Sequence, residues 1–264
     1  METAFSNYGA TMVKSATIPA MLRALRLPAM LGSWEKFQDE AIEHNWGFSE
    51  YLAKLCEQEL TQRDSRRLAR NLQDSKLPIS KKLSTFDFNA CPNLSQPVLG
   101  QLANDAGWVE RAENLLLFGA SGVGKSHLAA AIGHGLLENG KRVLLTSATA
   151  IVQKLQVAKR ELKLPSSLSK LDKYHLLILD DIGYVKSSEV ESSVLFQLIA
   201  HRYETGSMLI TSNHAFSDWD SIFADSMMAV AAIDRLIHHA TIIKIEAQSY
   251  RKPSSRFGRS NTIE

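Results

Sequence analysis

The sequence predicts an α/β fold, a parallel sheet with helices on both faces, preceded by a small all-helical N-terminal domain. From Asn114 to Ile245, short apolar segments alternate with helical patterns, which is typical of strands joined by helical crossovers into a parallel sheet. From Ile18 to Lys76, apolar side chains recur at three- and four-residue spacing without strand-like alternation. With 264 residues and 45% hydrophobic composition, the chain can bury a globular core.

The boundaries of the elements follow from this pattern. The predicted strands are 114–119, 143–146, 176–180, 208–212 and 241–245. Helices are predicted at 126–139, from the second strand to about 173, and at 189–203, 216–223 and 227–239. In the N-terminal domain, Trp46-Gly47 interrupts the helical pattern and Ser49 is predicted to cap the next helix. Three prolines within 77–97 indicate a linker. The predicted organisation is a helical domain at 1–76, a linker at 77–97, an α/β domain at 98–250 and a basic tail at 251–264.

Composition and charge exclude several classes of protein. Cys56 and Cys91 lie far apart in no metal-binding or redox spacing, so a disulfide framework is not expected. The N-terminus lacks the basic and apolar regions of a secretion signal, and no apolar run approaches the ~20 residues of a membrane span. We therefore expect a cytoplasmic protein with no membrane partner.

A phosphate-binding motif follows the first predicted strand. Residues 119–126 read GASGVGKS, which satisfies the P-loop pattern G-x-x-x-x-G-K-S/T between a strand and a helix. The glycines let backbone N–H groups point at phosphate oxygens, and the helix N-terminus adds positive potential. Lys125 is expected to reach the β- and γ-phosphates of ATP, and the Ser126 hydroxyl to coordinate Mg²⁺. The predicted nucleotide-binding residues are Gly119, Ala120, Ser121, Gly122, Val123, Gly124, Lys125, Ser126 and His127.

Acidic and polar side chains follow two later strands. The segment HLLILDD at 175–181 has the form of a Walker B motif, an apolar strand that ends in two acids. Asp180 is predicted to hold Mg²⁺, directly or through water, and Asp181 to polarise the attacking water as general base. In LITSN at 209–213, Asn213 is predicted to orient this water (the sensor I role), with Thr211 or Ser212 as alternatives. ATP and Mg²⁺ are the expected ligands.

These motifs together resemble a known family. The order NLLLFGASGVGKSHLAAAIG, LLILDDIGY, LITSN, AAIDRL and a closing SYR resembles the IstB/DnaC-like branch of AAA+ ATPases over about residues 80–252. The N-terminal LRALRLPAMLGSWEKF resembles the IstB side of this branch, the helper ATPases of two-gene insertion sequences. The resemblance implies a P-loop NTPase (AAA+) fold.

The resemblance also implies assembly into homo-oligomers. In this family an arginine of one subunit completes the ATP site of its neighbour and stabilises charge on the γ-phosphate in the transition state. Arg235 in AAIDRL matches this position, and Arg202 is a second candidate. Arg251 belongs to the closing SYR, whose role the resemblance leaves open.

Basic stretches predict contact with double-stranded DNA. Residues 63–82 hold seven basic and two acidic residues, residues 148–173 hold six and two, and the tail is also basic. Such side chains contact phosphates without reading sequence, so binding is expected to be non-specific and to weaken with salt. Each stretch alone is equally typical of a solvated charged face. The predicted DNA-binding residues are Arg63, Arg66, Arg67, Arg70, Lys154, Lys159, Arg160 and Lys163.

Four ring side chains near the P-loop have open roles. Phe86 and Phe88 either line the adenine pocket or anchor the linker on the core. His127 and His134, on the P-loop helix, are interpreted as packing or surface residues and not as metal ligands.

We therefore expect an ATPase that assembles on double-stranded DNA and assists a transposase in transposition. Two alternatives remain. One is a helicase loader, which keeps the ATPase and changes the partner. The other is a nucleotide-gated DNA-architectural protein with little turnover.

Overall fold

The computed structural model describes residues 17–184, 188–247 and 249. The chain forms two compact units, Met1–Ala69 and Arg70–Glu264. The division falls inside a long helix and earlier than the predicted domain end at 76. The basic tail at 251–264, with Arg251, lies outside the described residues.

The N-terminal unit is helical, as its periodicity predicts. Its helices are α1 (Ile18–Ala24), α2 (Pro28–Glu43) and α3 (Phe48–Ser75), the last of which continues into the second unit. Met30, Trp34 and Leu55 form its buried core. The predicted cap at Ser49 is wrong: α3 begins at Phe48, so Ser49 lies within the first turn. The helix begins earlier than predicted because the carbonyl oxygen of Gly47 already accepts the first helical hydrogen bond, from Tyr51 N at 3.0 Å.

A buried carboxylate caps the N-terminus of α2. Glu59 is 4% exposed, and its Oε2 accepts hydrogen bonds from the N–H groups of Ala29 at 2.8 Å and Met30 at 3.2 Å. These N–H groups lie in the first turn of a helix, where no backbone acceptor is available. Burial acts to raise the pKa of Glu59, but the hydrogen bond from Arg63 and those from the two N–H groups outweigh it and hold the pKa below its usual value.

The second unit contains the predicted parallel sheet. Its strands are β1 (Asn114–Gly119), β2 (Val143–Ser147), β3 (Leu176–Asp180), β4 (Ser207–Ser212) and β5 (Ala240–Ile245). All pairs are parallel, in the order β2-β3-β4-β1-β5. The three central strands are apolar on both faces because helices cover both sides. In a parallel sheet all carboxyl ends meet at one edge, so Gly119, Asp180 and Ser212 end there together.

The helices of this unit follow the prediction with three differences, one of which is that the helix predicted at 216–223 is a 3-10 turn. They are α4 (Gln96–Asn104), α5 (Gly107–Glu110), α6 (Lys125–Glu138), α7 (Ala148–Arg160), α8 (Leu164–Ser169), α9 (Glu189–Arg202) and α10 (Ser226–Ile237), with 3-10 turns at Leu83–Thr85, Ile182–Tyr184 and Phe216–Ser221. The sequence pattern did not predict α4 and α5. The single helical stretch predicted up to 173 is wrong. Leu162 takes φ 57°, which ends α7, and Pro165 starts α8 in its place.

The proline-rich segment at 77–97 packs into the second unit. Leu77, Phe86 and Cys91 are buried in the same apolar cluster as β1 and α6. This segment is therefore part of the core and not a free connection. Within the described part of the chain, no helix is long and apolar enough to cross a membrane.

Candidate functional site

The loop between β1 and α6 has the tight glycine geometry that its motif predicts. Gly122 and Gly124 take φ of 83° and 98°, a backbone conformation that side chains strongly disfavour. A Cβ at Gly124 would lie 3.0 Å from the ring of Phe86, and one at Gly119 would lie 2.6 Å from the carbonyl oxygen of Ile245. The loop is therefore fixed between β5 and the Phe86 ring.

Lys125 lies inside this loop. Its side chain is buried, and its Nζ donates hydrogen bonds to the carbonyl oxygens of Gly119 and Ala120, both at 2.9 Å. The loop thus holds a cation at the place where the motif predicts phosphate oxygens.

A cluster of three side chains joins the P-loop helix to two strands. Asp180 Oδ1 accepts hydrogen bonds from Ser126 Oγ at 2.8 Å and from Thr211 Oγ1 at 2.6 Å. A hydroxyl and a carboxylate oxygen side by side are ligands that suit Mg²⁺. The structure therefore brings together the two residues predicted to hold the metal, and their chemistry fits it.

Thr211 is a functional residue that the sequence reasoning placed in another role. Its hydroxyl donates to Asp180 and accepts a hydrogen bond from the backbone N–H of Asp181 at 2.8 Å, and its side chain is fully buried. It fixes both acids at the end of β3. The sequence contained a signal for this role, since a hydroxyl residue near the end of the strand after Walker B can reach those acids. Whether it does so depends on β4 lying beside β3 in the sheet.

Asp181 and Asn213 occupy different surroundings. Asp181 lines the cleft at the P-loop, whereas Asn213 is not among the cleft-lining residues of the described chain. Asn213 Oδ1 is buried and has no hydrogen-bond partner among the described residues. A Cβ at Gly183 would lie 2.4 Å from this oxygen, so glycine at 183 leaves the space that Asn213 occupies. The role predicted for Asn213 stays a prediction.

The cleft beside the P-loop has a volume of about 350 Å³. Its lining residues are Lys81, Thr85, Phe86, Asp87, Ser121, Gly122, Gly124, Lys125, Ser126, His127 and Asp181. Phe86 is buried in the core and also lines the cleft, with its ring centroid 5.0 Å from that of Phe88 and 5.4 Å from that of His127. The adenine-pocket role of Phe86 and Phe88 stays a prediction.

The two histidines of α6 lie in different places. His127 lines the cleft, and its Nε2 lies 3.1 Å from both Thr85 Oγ1 and the carbonyl oxygen of Lys82. His134 is buried, with Nε2 at 3.0 Å from the carbonyl oxygen of Pro78. Both tie α6 to the 77–97 segment.

Comparisons with known proteins identify the family. The family model of the IstB-like ATP-binding proteins matches residues 20–257. The chain is 46% identical over 243 residues to an insertion-sequence ATP-binding protein of Sinorhizobium fredii, covering 92% of this chain and 82% of that protein. It is 36% identical to the IS5376 ATP-binding protein of Geobacillus stearothermophilus, covering 88% and 92%.

This chain belongs to the IstB-like ATP-binding protein family. Solved structures agree on the fold over 65% of this chain. The DnaC helicase loader is similar with a TM-score of 0.53 at 22% identity, over 65% of this chain and 98% of that one. AMPPCP-bound DnaA from Aquifex aeolicus is similar with a TM-score of 0.53 at 18% identity, over 65% and 52%. The predicted family and fold are confirmed.

The two candidate arginines of this IstB-like protein differ in exposure. Arg235, on α10, is partly exposed; its Nη1 donates to Ala231 O at 2.8 Å and its Cζ lies 5.1 Å from the ring centroid of Phe196. It does not line the cleft of its own chain, as far as the described residues extend.

Arg202 is a structural residue, which corrects its place as second candidate for acting on a neighbouring subunit. It is 2% exposed, and its guanidinium donates to four carbonyl oxygens, those of Leu171, Tyr174, His175 and Ser207. Burial lowers its pKa to about 10, so it stays charged at neutral pH. Its side chain ties α9 to β4 and the loop before β3, and cannot reach another molecule from there.

Several of the predicted DNA-binding side chains have partners within the protein. Arg63 binds Glu59 at 2.8 Å and the carbonyl oxygen of Arg26 at 2.9 Å. Lys159 donates to Ser193 Oγ at 3.0 Å, and Lys163 pairs with Glu161 at 3.0 Å. Arg67 pairs with Asp64 at 3.1 Å, with both side chains mostly exposed. The remaining predicted residues, Arg66, Arg70, Lys154 and Arg160, are exposed.

A pocket of about 450 Å³ in the second unit collects four lysines, Lys76, Lys154, Lys170 and Lys173. We call it the four-lysine pocket. Its wall combines apolar side chains with Ser167 and Ser169, and Lys173 Nζ lies 4.8 Å from the ring centroid of Tyr174. None of the four forms an ion pair with another described residue. Only Lys154 belongs to the predicted DNA-binding set.

Proposed function

We propose that this IstB-like protein hydrolyses ATP with Mg²⁺, assembles on double-stranded DNA and assists a transposase. The observation that carries the ATPase part is the cluster of Ser126, Asp180 and Thr211 beside the Lys125 loop. Hydroxyl, carboxylate and ammonium groups converge there at the open edge of the sheet, as ATP–Mg²⁺ hydrolysis requires.

In the proposed reaction each residue has a defined task. Lys125 exchanges the carbonyl oxygens of the loop for β- and γ-phosphate oxygens. Ser126 and Asp180 hold Mg²⁺, which when bound neutralises charge on the phosphates. Asp181 accepts a proton from the attacking water, and Asn213 orients that water.

Completion of the site in trans is proposed for Arg235. The support is its partial exposure on α10, outside the cleft of its own chain, together with its match to the family motif. A guanidinium supplied by a neighbouring subunit stabilises γ-phosphate charge only when subunits assemble, which couples hydrolysis to assembly.

Binding to duplex DNA is supported by exposed positive charge on two parts of the protein. The four-lysine pocket and the exposed arginines of α3 present ammonium and guanidinium groups that suit phosphate oxygens. The relatives are ATP-binding proteins of insertion sequences, which supports a transposase as the partner.

Sedimentation of the purified protein with random-sequence duplex DNA tests this function. Large DNA-bound assemblies are expected in ATP–Mg²⁺, not in ADP–Mg²⁺, and not with Lys125→Ala. A protein that stays small on duplex DNA in both nucleotides would refute the assembly and favour a helicase loader. Asp181→Asn tests the alternative of a DNA-architectural protein with little turnover. If transposition persists while phosphate release is abolished, ATP serves only as an assembly ligand.

A further inference from the structure

Two histidines and a carboxylate meet at the ends of two helices, away from the ATP cleft. Glu204 follows the end of α9, and His238 and His239 follow the end of α10. One ligand atom of each side chain, a ring nitrogen or a carboxylate oxygen, lies within 4.8 Å of the other two, and all three residues are exposed. We propose that these residues bind Zn²⁺ or a chemically similar divalent transition-metal ion.

The environment of His238 suits a metal ligand. Its Nδ1 lies 2.8 Å from the phenolic oxygen of Tyr203. When Nδ1 donates its proton to that oxygen, Nε2 carries the lone pair that a metal requires. A hydrogen bond from the second ring nitrogen is the usual way in which proteins orient ligating histidines. The rings of His238 and His239 lie 4.1 Å apart between centroids, so both present nitrogens to the same region.

The donor set selects the class of ion. Two imidazoles and one carboxylate are ligands typical of Zn²⁺, whereas Mg²⁺ prefers oxygen alone. Zn²⁺ binds such ligands at about 2.0–2.2 Å in a tetrahedron, which places ligand atoms roughly 3.4 Å apart. The three ligand atoms lie within 4.8 Å of one another on exposed side chains, so binding would require them to move closer together, and water would supply the fourth ligand.

The position of the cluster separates it from the proposed Mg²⁺ site. The carbonyl oxygen of His239 accepts a hydrogen bond from Asn114 N at 2.7 Å, and Asn114 is the first residue of β1. The P-loop follows the last residue of the same strand, so the two sites lie at opposite edges of the sheet. A bound ion would cross-link the end of α9 to the junction between α10 and β5, one helical turn beyond Arg235.

Titration of the nucleotide-free, chelator-treated full-length protein with Zn²⁺ alone tests the site by calorimetry. We expect one high-affinity Zn²⁺ per chain. His238→Ala and Glu204→Gln are expected to weaken its affinity at least about tenfold, and Tyr203→Phe about tenfold through loss of the orienting hydrogen bond. His201→Ala is the matched control, because His201 pairs with a carboxylate, Asp172 at 2.8 Å, without a second imidazole. The affinity of the His201→Ala variant for Zn²⁺ is expected to stay unchanged.

Imidazole NMR signals provide a readout that does not depend on the variants folding. Zn²⁺ is expected to shift or broaden the signals of His238 and His239 in the unmodified protein, while Mg²⁺ leaves them unchanged. If these signals do not respond to Zn²⁺, or if His238→Ala and Glu204→Gln bind Zn²⁺ as tightly as the unmodified chain, the proposal is wrong.

Discussion

The ATP cleft and the basic surfaces of this protein differ in how well a local sequence pattern describes them. Beside the cleft, the residues of separate motifs meet: Ser126, Asp180 and Thr211 share hydrogen bonds. On the basic surfaces, Arg63, Lys159 and Lys163 are engaged by other groups of the protein. The motif residues lie at strand ends, which parallel pairing must bring to one edge. Surface charges have no such constraint, so their neighbours decide which of them a ligand can reach.

Removal of the P-loop ammonium gives the largest expected effect. Lys125→Ala is expected to lower ATP turnover about 10²–10³-fold, because a preorganised charge on the transferred phosphate is lost. Phosphate release measures this. Lys141→Ala, which removes an ammonium paired with Glu110 instead, is the control and is expected to keep full activity. Near-normal turnover in Lys125→Ala would show that the cleft is not the site of hydrolysis.

Loss of the buried hydroxyl on β4 tests whether the cluster acts as a unit. Thr211→Val removes the acceptor of the Asp181 N–H, a penalty of about 1–3 kcal/mol for an unsatisfied group, and leaves Asp180 Oδ1 with the Ser126 hydroxyl but without the Thr211 hydroxyl. We expect roughly tenfold lower turnover together with a higher Mg²⁺ concentration for half-maximal activity. Thr211→Ser keeps the hydroxyl and is expected to retain most activity. An unchanged Mg²⁺ dependence in Thr211→Val would show that Thr211 does not position the two acids.

Two double variants of equal charge sharpen the contrast on the basic surface. Lys154→Ala with Lys170→Ala removes two lysines of the four-lysine pocket. Lys159→Ala with Lys163→Ala removes two that already have partners. The first is expected to reduce the slope of log affinity for duplex DNA against log salt by about 2, since each phosphate contact contributes about 0.9. The second is expected to change it less. Equal slopes would show that total charge, and not partnering, governs DNA binding.

The smallest expected effect concerns Arg63, which forms an ion pair with Glu59 in the N-terminal unit. The lowered pKa of Glu59 means that its ionised form stabilises the folded state. This stabilisation is complete above the unfolded pKa of about 4.3 and is lost as the pH falls through the lower folded value. Acid unfolding followed by circular dichroism is therefore expected to begin at higher pH in Arg63→Ala. Glu59→Gln is expected to abolish this component of the pH dependence, and an unchanged acid transition in both variants would contradict the assignment.

The sequence alone determined much of the ATP site. It predicted β1 and β3 with the bounds that the structure has, because buried parallel strands are short apolar runs and the P-loop and Walker B motifs mark their ends. It placed Lys125, Ser126 and Asp180 in one site because phosphate and Mg²⁺ chemistry restricts which side chains can follow those strands. It also identified the helical N-terminal unit from periodicity.

Tertiary structure alone decided the features that depend on which distant groups become neighbours. Thr211 joins the acids because β4 lies beside β3, and Arg202 is buried because four carbonyl oxygens surround it. The segment at 77–97 reads as a linker by its prolines, yet Phe86 and Cys91 pack into the core. Lys76 shares a pocket with lysines that lie 78 to 97 residues later in the sequence. Local patterns reflect backbone preference and burial on one element, whereas hydrogen bonding and charge pairing between elements depend on distances that only the folded chain sets.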